Sequence, residues 1–339
     1  MRPVKTTAAF DKAKCALLFP GQGAQRVGMG KDIYEIFPSA LAVFQEADEA
    51  LQMHLRDLIF DGPQETLTLT ENAQPAILVT SIAFLRVLEK EFGFSVKDRA
   101  AFALGHSLGE YTALVATGSL SLRDAVRLVR ARGLAMSKTV HEDICSPTSM
   151  SALVVRRGKL DELEQAITER VQPQLAAGEL AELANINSSF QAVISGTTSG
   201  VYKAAHMLQE WRLAARAVDL PVSAPFHCSL MKPAAAALDP ALKKVAFKTP
   251  VVDVISNVTA RPHGKAEEIS PLLLQQVTAR VQWYRSVEYC KTAGNTRHWL
   301  AFGPGRVLAN LMRKEHPLDP LKHVDSVQEI EATARALGL

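Results

Sequence analysis

The chain has 339 residues, of which 47% are hydrophobic and 22% are charged, and its formal net charge is +3. This composition is typical of a globular protein with a sizeable core, which excludes an intrinsically disordered chain. The small net charge, without a basic run interleaved with aromatic residues, argues against nucleic-acid binding. The length suits about two domains.

Two features bear on the compartment. Residues 1–14, MRPVKTTAAFDKAK, carry four basic side chains and one acidic one, as the end of an organellar transit peptide would. We therefore expect a mitochondrial protein, or a cytoplasmic one if the chain is bacterial. The four cysteines have no metal-ligand spacing and fit a reducing compartment; they are Cys15, Cys145, Cys228 and Cys290.

The first predicted element is a buried strand over residues 16–19, which Pro20 and Gly21 end. The loop that follows, PGQGAQRVGMG, lacks the Gly-Lys-Ser/Thr end of a phosphate loop and the third glycine of a dinucleotide fingerprint. It is either a tight turn or a source of backbone N–H groups for an oxyanion hole.

Two helices are predicted next, over residues 40–61 and 73–92, from apolar residues spaced three and four apart. The apolar run PAILVTSIAFL in the second helix is shorter than the roughly 20 residues that span a bilayer. We therefore expect no membrane association.

The stretch FALGHSLGEY places Ser107 between a predicted strand, residues 100–104, and a helical run. A Gly-x-Ser-x-Gly sequence at a sharp strand-to-helix turn exposes a nucleophilic serine. The start of the helix would favour the alkoxide, but the hydroxyl still needs a general base. The alternative is an ordinary turn in which Ser107 caps the helix.

A predicted helix over residues 122–140 places Arg132 among apolar neighbours. A buried arginine must be paired, and a guanidinium that faces a pocket suits a carboxylate carried by the substrate. An internal salt bridge or a surface position would explain the residue equally well.

The next segment has the strand and helix order of a ferredoxin-like domain, βαββαβ. Its strands are predicted at 150–155, 183–186, 191–195 and 214–218, and its helices at 160–171 and 201–211. We therefore predict an α/β fold in which a small ferredoxin-like α+β domain, residues 145–218, is inserted into a larger one. The large domain, residues 1–144 and 219–339, is predicted to be α/β-hydrolase-like with a parallel sheet.

Two of the nine histidines suit the role of base. His227 lies in PVSAPFHCSLMKP, a proline-containing loop at the junction of the two predicted domains, where a rigid base is well placed. His298 begins a predicted strand, residues 298–302, and is the alternative, either as a base or as a core histidine. Residues 251–256 and 283–292 are predicted as a strand and a helix, and the last helices begin at residues 303–305.

In this order the segments resemble the malonyl-CoA:acyl carrier protein transacylase family. The resemblance covers residues 16–314 and rests on LLFPGQGAQRVGMG, TENAQPA, GHSLGEYTAL, RARGLAM, PVSAPFHCSLMKP, VQWYRSVEY and FGPGRVL. The first segment has Ala24 where many members have serine, a small change in a turn. Members of the family also contain a ferredoxin-like insert.

The resemblance implies a role for each matching residue. Ser107 would be the nucleophile and His227 its general base, oriented by a backbone carbonyl that by position is that of Gln282. The backbone N–H groups of Gln22 and Leu108 would form the oxyanion hole. Arg132 would bind the malonyl carboxylate, and the pocket would include Gln74, His106, Met136 and Phe226.

The implied reaction carries a malonyl group from malonyl-CoA through a malonyl-serine ester to the phosphopantetheine thiol of holo acyl carrier protein, in a ping-pong scheme. It needs no metal and no other cofactor. Arg132 would discriminate malonyl from acetyl, and the ring of Phe226 would exclude an α-methyl group. We expect a monomer.

Two other classes of function compete with this one. A serine esterase or thioesterase, with water as acceptor and His298 as base, calls for an acidic third residue and an HGGG-like loop, and the sequence shows neither. A silent scaffold that binds carrier protein without turnover has no need of Ser107, His227 and Arg132 together.

Overall fold

A computed structural model describes residues 15–339, so the basic segment 1–14 and the localisation predicted from it lie outside the described part of the chain. The described strands form two sheets. The strands are β1 (Cys15–Phe19), β2 (Ala100–Gly105), β3 (Thr148–Val155), β4 (Ala181–Ser188), β5 (Gln191–Thr197), β6 (Ala214–Asp219), β7 (Asp253–Ile255), β8 (His298–Phe302) and β9 (Leu321–Val324).

Helices connect these strands. They are α1 (Lys31–Ile36), α2 (Pro38–Leu51), α3 (Leu55–Asp61), α4 (Gln64–Thr68), α5 (Thr70–Phe92), α6 (Val96–Arg99), α7 (Leu108–Ala116), α8 (Leu122–Lys138), α9 (Leu160–Ala166), α10 (Thr198–Glu210), α11 (Lys232–Leu242), α12 (Ala266–Gln276), α13 (Trp283–Thr292), α14 (Val307–Glu315) and α15 (Val327–Leu337). No helix within residues 15–339 combines the length and the apolarity that crossing a membrane requires.

The larger sheet is parallel throughout, with the order β7-β2-β1-β8-β9. Both of its faces are covered. Leu17 and Phe19 of β1 pack into the core cluster that contains α5, α7 and α8, whereas Ala16 and Leu18 pack against Trp283 of α13. A strand buried on both faces reads as a continuous apolar run, which is why β1 was predicted correctly.

The smaller sheet is antiparallel, with the order β4-β5-β3-β6. Helices α9 and α10 pack on one face through a separate core that includes Leu153, Ile194 and Leu208. On the other face, Met150 packs with Phe226, which belongs to the loop before α11. The predicted combination of a parallel sheet and a small βαββαβ unit is therefore confirmed, and the unit's last strand ends at Asp219, one residue beyond the predicted boundary.

The differences from the prediction have local causes. The helix predicted over 40–61 is two helices, because Gln52 adopts a left-handed conformation that ends α2. Helix α5 begins at Thr70 and contains Pro75. Proline has no N–H to donate to the Glu71 carbonyl one turn earlier, and Arg130 donates to that carbonyl instead. Helices α11 and α12 were not predicted, and each contains an internal proline.

Candidate active site

Ser107 occupies the sharp turn between β2 and α7, with φ 53° and ψ −109°. Glycine is required on both sides of it. A Cβ on Gly105 would overlap the backbone of Gly109, and a Cβ on Gly109 would overlap the carbonyl oxygen of Phe19. The Ser107 hydroxyl makes no capping bond to α7, so the alternative of an ordinary helix cap is wrong. The turn instead exposes the hydroxyl to groups from other elements.

His227 is the base within reach of that hydroxyl, with its Nε2 2.8 Å from Ser107 Oγ. Its Nδ1 lies 2.9 Å from the carbonyl oxygen of Gln276 and 3.2 Å from that of Ala279. Because carbonyl oxygens only accept, Nδ1 carries the proton and Nε2 is left to accept the hydroxyl proton.

The prediction that the Gln282 carbonyl orients His227 is wrong. Gln282 precedes α13, and its carbonyl accepts the backbone N–H and the hydroxyl of Ser286, each at 2.9 Å. Gln276 is the last residue of α12, where the terminal carbonyls have no partner within the helix. One of these free carbonyls therefore takes the role that the family resemblance implied for Gln282.

Burial, reinforced by the positive charge of Arg132, lowers the pKa of His227 to about 3. The ring is therefore neutral near pH 7 and can act as a base. His298 cannot compete for this role, because it begins β8 beside Cys15 at the amino end of the sheet. Ser107 follows β2 at the carboxyl end of the sheet. The two ends of the sheet are roughly 13 Å apart, because β1 advances four residues from Cys15 to Phe19.

Arg132 is almost completely buried, and neutral oxygen atoms surround it. Its Nη1 donates to Gln74 Oε1 at 2.9 Å, and its Nη2 donates to Ser107 Oγ and to Gln276 Oε1, both at 3.0 Å. Its Nε has no hydrogen-bond partner, and no Asp or Glu oxygen of residues 15–339 lies within ion-pair distance. The internal salt bridge considered above is absent, so the buried cation can accept an anionic ligand.

The two backbone groups predicted for the oxyanion hole lie on neighbouring segments, the loop after β1 and the start of α7. Gly21 packs so closely on the Ser107 turn that a Cβ there would lie 2.7 Å from the His106 carbonyl oxygen. Gln22 follows it directly. Leu108 is the first residue of α7, so no carbonyl of that helix accepts its N–H. Their role as donors to an oxyanion stays a prediction.

The predicted pocket residues fall into two groups. Gln74 and Met136 support Arg132, since the Nε2 of Gln74 also donates to Met136 Sδ at 3.7 Å. His106 faces the small sheet, where its Nε2 lies 2.9 Å from Asn187 Oδ1. Phe226 is half-buried between the cores of the two sheets.

Two side chains at the site were not predicted. Asn257, just after β7, accepts the Ser107 N–H through Oδ1 at 2.7 Å and donates through Nδ2 to the Gly105 carbonyl at 2.7 Å. A polar residue after a buried parallel strand was a usable signal, because such residues gather at the carboxyl edge of the sheet. Gln276 gave no such signal, because Pro271 interrupts the pattern of α12.

Comparison with known proteins identifies the class. Residues 16–299 match the acyl transferase domain family. This span is most of the chain, and the protein is an acyltransferase.

Individual relatives narrow the class. The malonyl CoA-acyl carrier protein transacylase of Bacillus subtilis strain 168 is 44% identical over 302 residues, 89% of this chain and 90% of that protein. The acyl-carrier-protein-S-malonyltransferase of Bartonella henselae superposes with a TM-score of 0.86 at 42% identity, covering 96% of this chain and 100% of that one. A malonyl-transacylase solved in complex with a type II PKS acyl-carrier protein has a TM-score of 0.85 at 32% identity, covering 95% and 99%. The chain belongs to the malonyl CoA-acyl carrier protein transacylase family.

Proposed function

We propose that the protein transfers the malonyl group of malonyl-CoA to the phosphopantetheine thiol of an acyl carrier protein, for fatty-acid synthesis, through an ester on Ser107. One observation carries the proposal: a buried Arg132 with no carboxylate partner lies 3.0 Å from the nucleophilic oxygen. In a malonyl ester the free carboxylate is two carbon–carbon bonds from the ester carbonyl, about 2.5 Å. An acyl chain this short, attached to Ser107 Oγ, keeps its carboxylate within reach of the Arg132 guanidinium.

In the first half-reaction, Ser107 Oγ attacks the thioester carbonyl while its proton passes to His227 Nε2. The N–H groups of Gln22 and Leu108 stabilise the oxyanion. Cleavage of the carbon–sulfur bond then releases CoA, whose sulfur takes the proton from Nε2. The transient positive charge on the ring is stabilised by the carbonyls that accept the Nδ1 proton rather than by a carboxylate.

In the second half-reaction, the carrier thiol attacks the ester carbonyl and His227 accepts the sulfur proton. The carbon–oxygen bond breaks, and the proton returns to Ser107 Oγ. The relative solved with an acyl-carrier protein supports this choice of acceptor. Arg132 also favours the thiol over water as acceptor, because fixing the malonyl carboxylate leaves the ester poorly placed for attack by water.

Intact-protein mass spectrometry tests the proposal. The protein is mixed with malonyl-CoA, methylmalonyl-CoA or acetyl-CoA, and then with holo acyl carrier protein. We expect a malonyl adduct that Ser107→Ala abolishes and that the carrier discharges. Arg132→Ala should shift loading from malonyl towards acetyl, because it removes the only buried cation beside Ser107 in the described chain.

Two results would oppose the proposal. Release of free malonate with no adduct from any of the three thioesters would make water the acceptor and the protein a hydrolase. If the wild type forms no adduct and hydrolyses no thioester, and Ser107→Ala still binds the carrier, the protein would be a scaffold.

A further inference from the structure

Glu110 is a fully buried carboxylate that the reaction above does not use. It lies in the first turn of α7, shortly after Ser107. Its oxygens accept three N–H bonds: from the Asn257 backbone at 3.0 Å, from Gln276 Nε2 at 2.8 Å and from His263 Nε2 at 2.7 Å. Burial of a carboxylate is tolerated only when its oxygens are paired, and here donors from the connection between β7 and α12 and from the end of α12 pair them.

Gln276 connects this carboxylate to the reacting groups. Its Nε2 also donates to the Ser107 carbonyl at 2.9 Å, and its Oε1 accepts from Arg132 Nη2 at 3.0 Å. Its own backbone carbonyl accepts the Nδ1 proton of His227. A single residue that Glu110 holds therefore contacts the nucleophile, the base and the arginine.

Asn257 provides a second connection. Its backbone N–H donates to Glu110, and its side-chain oxygen accepts the N–H of Ser107. The Ser107 backbone is thus held on its N–H side by Asn257 and on its carbonyl side by Gln276. A serine with φ 53° is strained, and such a conformation persists only where its surroundings over-determine it.

We propose that Glu110 is a positioning residue for this reaction: it fixes the side-chain amide of Gln276 and the backbone of Asn257. These two residues hold Ser107 in its strained conformation, and Gln276 aims Arg132. This inference rests on the proposed function. If the Gln276 amide flipped, its NH₂ would face the Arg132 donors and the bond to the guanidinium would be lost. A carboxylate accepts and never donates, so Glu110 opposes that flip. Selectivity for an acyl group that bears a carboxylate then depends on a residue remote from the substrate.

His263 offers a way to disturb Glu110 alone. Its side chain is fully buried, its Nε2–H donates to Glu110, and its Nδ1 has no hydrogen-bond partner in residues 15–339. Its backbone N–H bonds to the Val254 carbonyl. Within the described residues, the hydrogen bond to Glu110 is therefore the polar contact through which a substitution of this side chain acts on the site.

Two measurements separate the parts of the network. The rate at which a fluorophosphonate labels Ser107 depends on Ser107 and His227 and needs no malonyl group. The ratio of malonyl to acetyl loading reports on Arg132. In Glu110→Gln we expect both the labelling rate and the ratio to fall about tenfold or more, because a charged acceptor of several hydrogen bonds is lost.

A double-mutant cycle tests the route. If Glu110 acts on Arg132 through Gln276, Glu110→Gln should change the loading ratio little further in a Gln276→Ala background. A labelling rate and a ratio within twofold of wild type in Glu110→Gln, or fully additive losses of the ratio in the cycle, would overturn the inference. Glu179→Gln is the matched control, since this carboxylate pairs with Lys203 within the small βαββαβ unit and its loss should leave both the labelling rate and the ratio unchanged.

If Glu110→Gln fails to fold, two variants of His263 test the positioning role instead. His263→Ala should lower the loading ratio about threefold or more, and His263→Gln, whose amide can donate to Glu110, should restore it to within twofold of wild type. Equal ratios in the wild type and in both His263 variants would refute the positioning role. Absence of malonyl loading in the wild type would refute the proposed function instead, and the fluorophosphonate rate would still test the effect of Glu110 on Ser107.

Discussion

The direct partners of the Arg132 guanidinium are unusual for a buried cation. Its partners are the side-chain oxygens of Gln74, Gln276 and Ser107, none of which carries a negative charge. An acetyl group would leave the cation without an ionic partner, at a cost on the order of 2–5 kcal/mol relative to a carboxylate-bearing group. The nearby carboxylate of Glu110 acts on this charge without contacting it, because Gln276 lies between the two groups. At the level of single residues, discrimination of malonyl from acetyl would thus come from a buried cation that has no carboxylate in direct contact.

Phe226 is the residue that we expect to set selectivity for the carbon next to the thioester. It directly precedes His227, and its half-buried ring packs between the cores of the two sheets. Phe226→Ser opens space beside the base, so methylmalonyl loading should rise relative to malonyl loading by about tenfold. Loading from each thioester, measured by intact mass, checks this.

Val222→Ser provides the control for Phe226, because Val222 lies in the same loop with 38% of its surface exposed. It should leave the methylmalonyl-to-malonyl ratio as in the wild type. A ratio that does not move in Phe226→Ser would mean that the ring does not limit the size of the acyl group.

The segment between β6 and α11 is held on both sides of His227. His227 has φ 60°, which is uncommon for a residue other than glycine. Before it, the Pro225 carbonyl accepts a bond from the Cys228 thiol. After it, Ser229 donates its N–H at 2.8 Å and its hydroxyl at 2.6 Å to Glu182 of β4. The small sheet thereby fixes the position of a base that belongs to the larger domain.

Glu182→Ala removes this attachment. We expect the fluorophosphonate labelling rate of Ser107 to fall about five- to tenfold, from the loss of two hydrogen bonds to a charged acceptor. Glu182→Gln should stay within about threefold of wild type, because the amide can accept the Ser229 N–H and donate to its hydroxyl. An unchanged rate in Glu182→Ala would show that the hydrogen bonds to Glu182 do not fix the position of His227.

The elements that the sequence predicted best are those whose apolar pattern is local. Strands β1, β2 and β8 and helix α13 were predicted within about one residue, because burial on one or two faces determines their residue types. Ser107 and Arg132 were found for a related reason, since Ser107 follows β2 and Arg132 lies within α8. His227 was found instead from its proline-containing loop at the junction of the two predicted domains.

What the sequence did not reveal depends on contacts distant along the chain. The carbonyl that orients His227 comes from the end of α12, 49 residues away, and its sequence position carries no side-chain signal. Glu110 lies in the motif that contains Ser107, yet its partners Asn257, His263 and Gln276 lie at least 147 residues further on. Hydrogen bonds between residues so far apart along the chain depend on how the whole sheet packs, and no local sequence pattern predicts that.

The interior of the molecule contains histidines that it keeps neutral. Burial lowers the pKa of His227 to about 3 and also lowers the pKa of His106 below its usual value. Asp325 adds an effect in the same direction, because its bond with His323 holds the carboxyl pKa well below the usual range. In the unfolded chain these groups take up protons at their ordinary pKa values, so acid favours unfolding.

His227 makes the free energy of unfolding depend on pH, because its pKa differs between the folded and unfolded states. Its pKa is 6.5 in the reference state and about 3 in the fold, so the stability it contributes is complete above pH 6.5 and is lost as the pH falls from 6.5 towards 3. Between pH 7.5 and pH 5.5 this loss is about 1.4 kcal/mol, a figure that requires only a folded pKa well below 5.5. Urea unfolding of the wild type and of His227→Gln at both pH values measures it. Over this change of pH the variant should lose about 1.4 kcal/mol less of its free energy of unfolding than the wild type, because glutamine does not titrate. Equal losses would mean that His227 is protonated in the folded protein at pH 5.5 and that burial does not keep the base neutral.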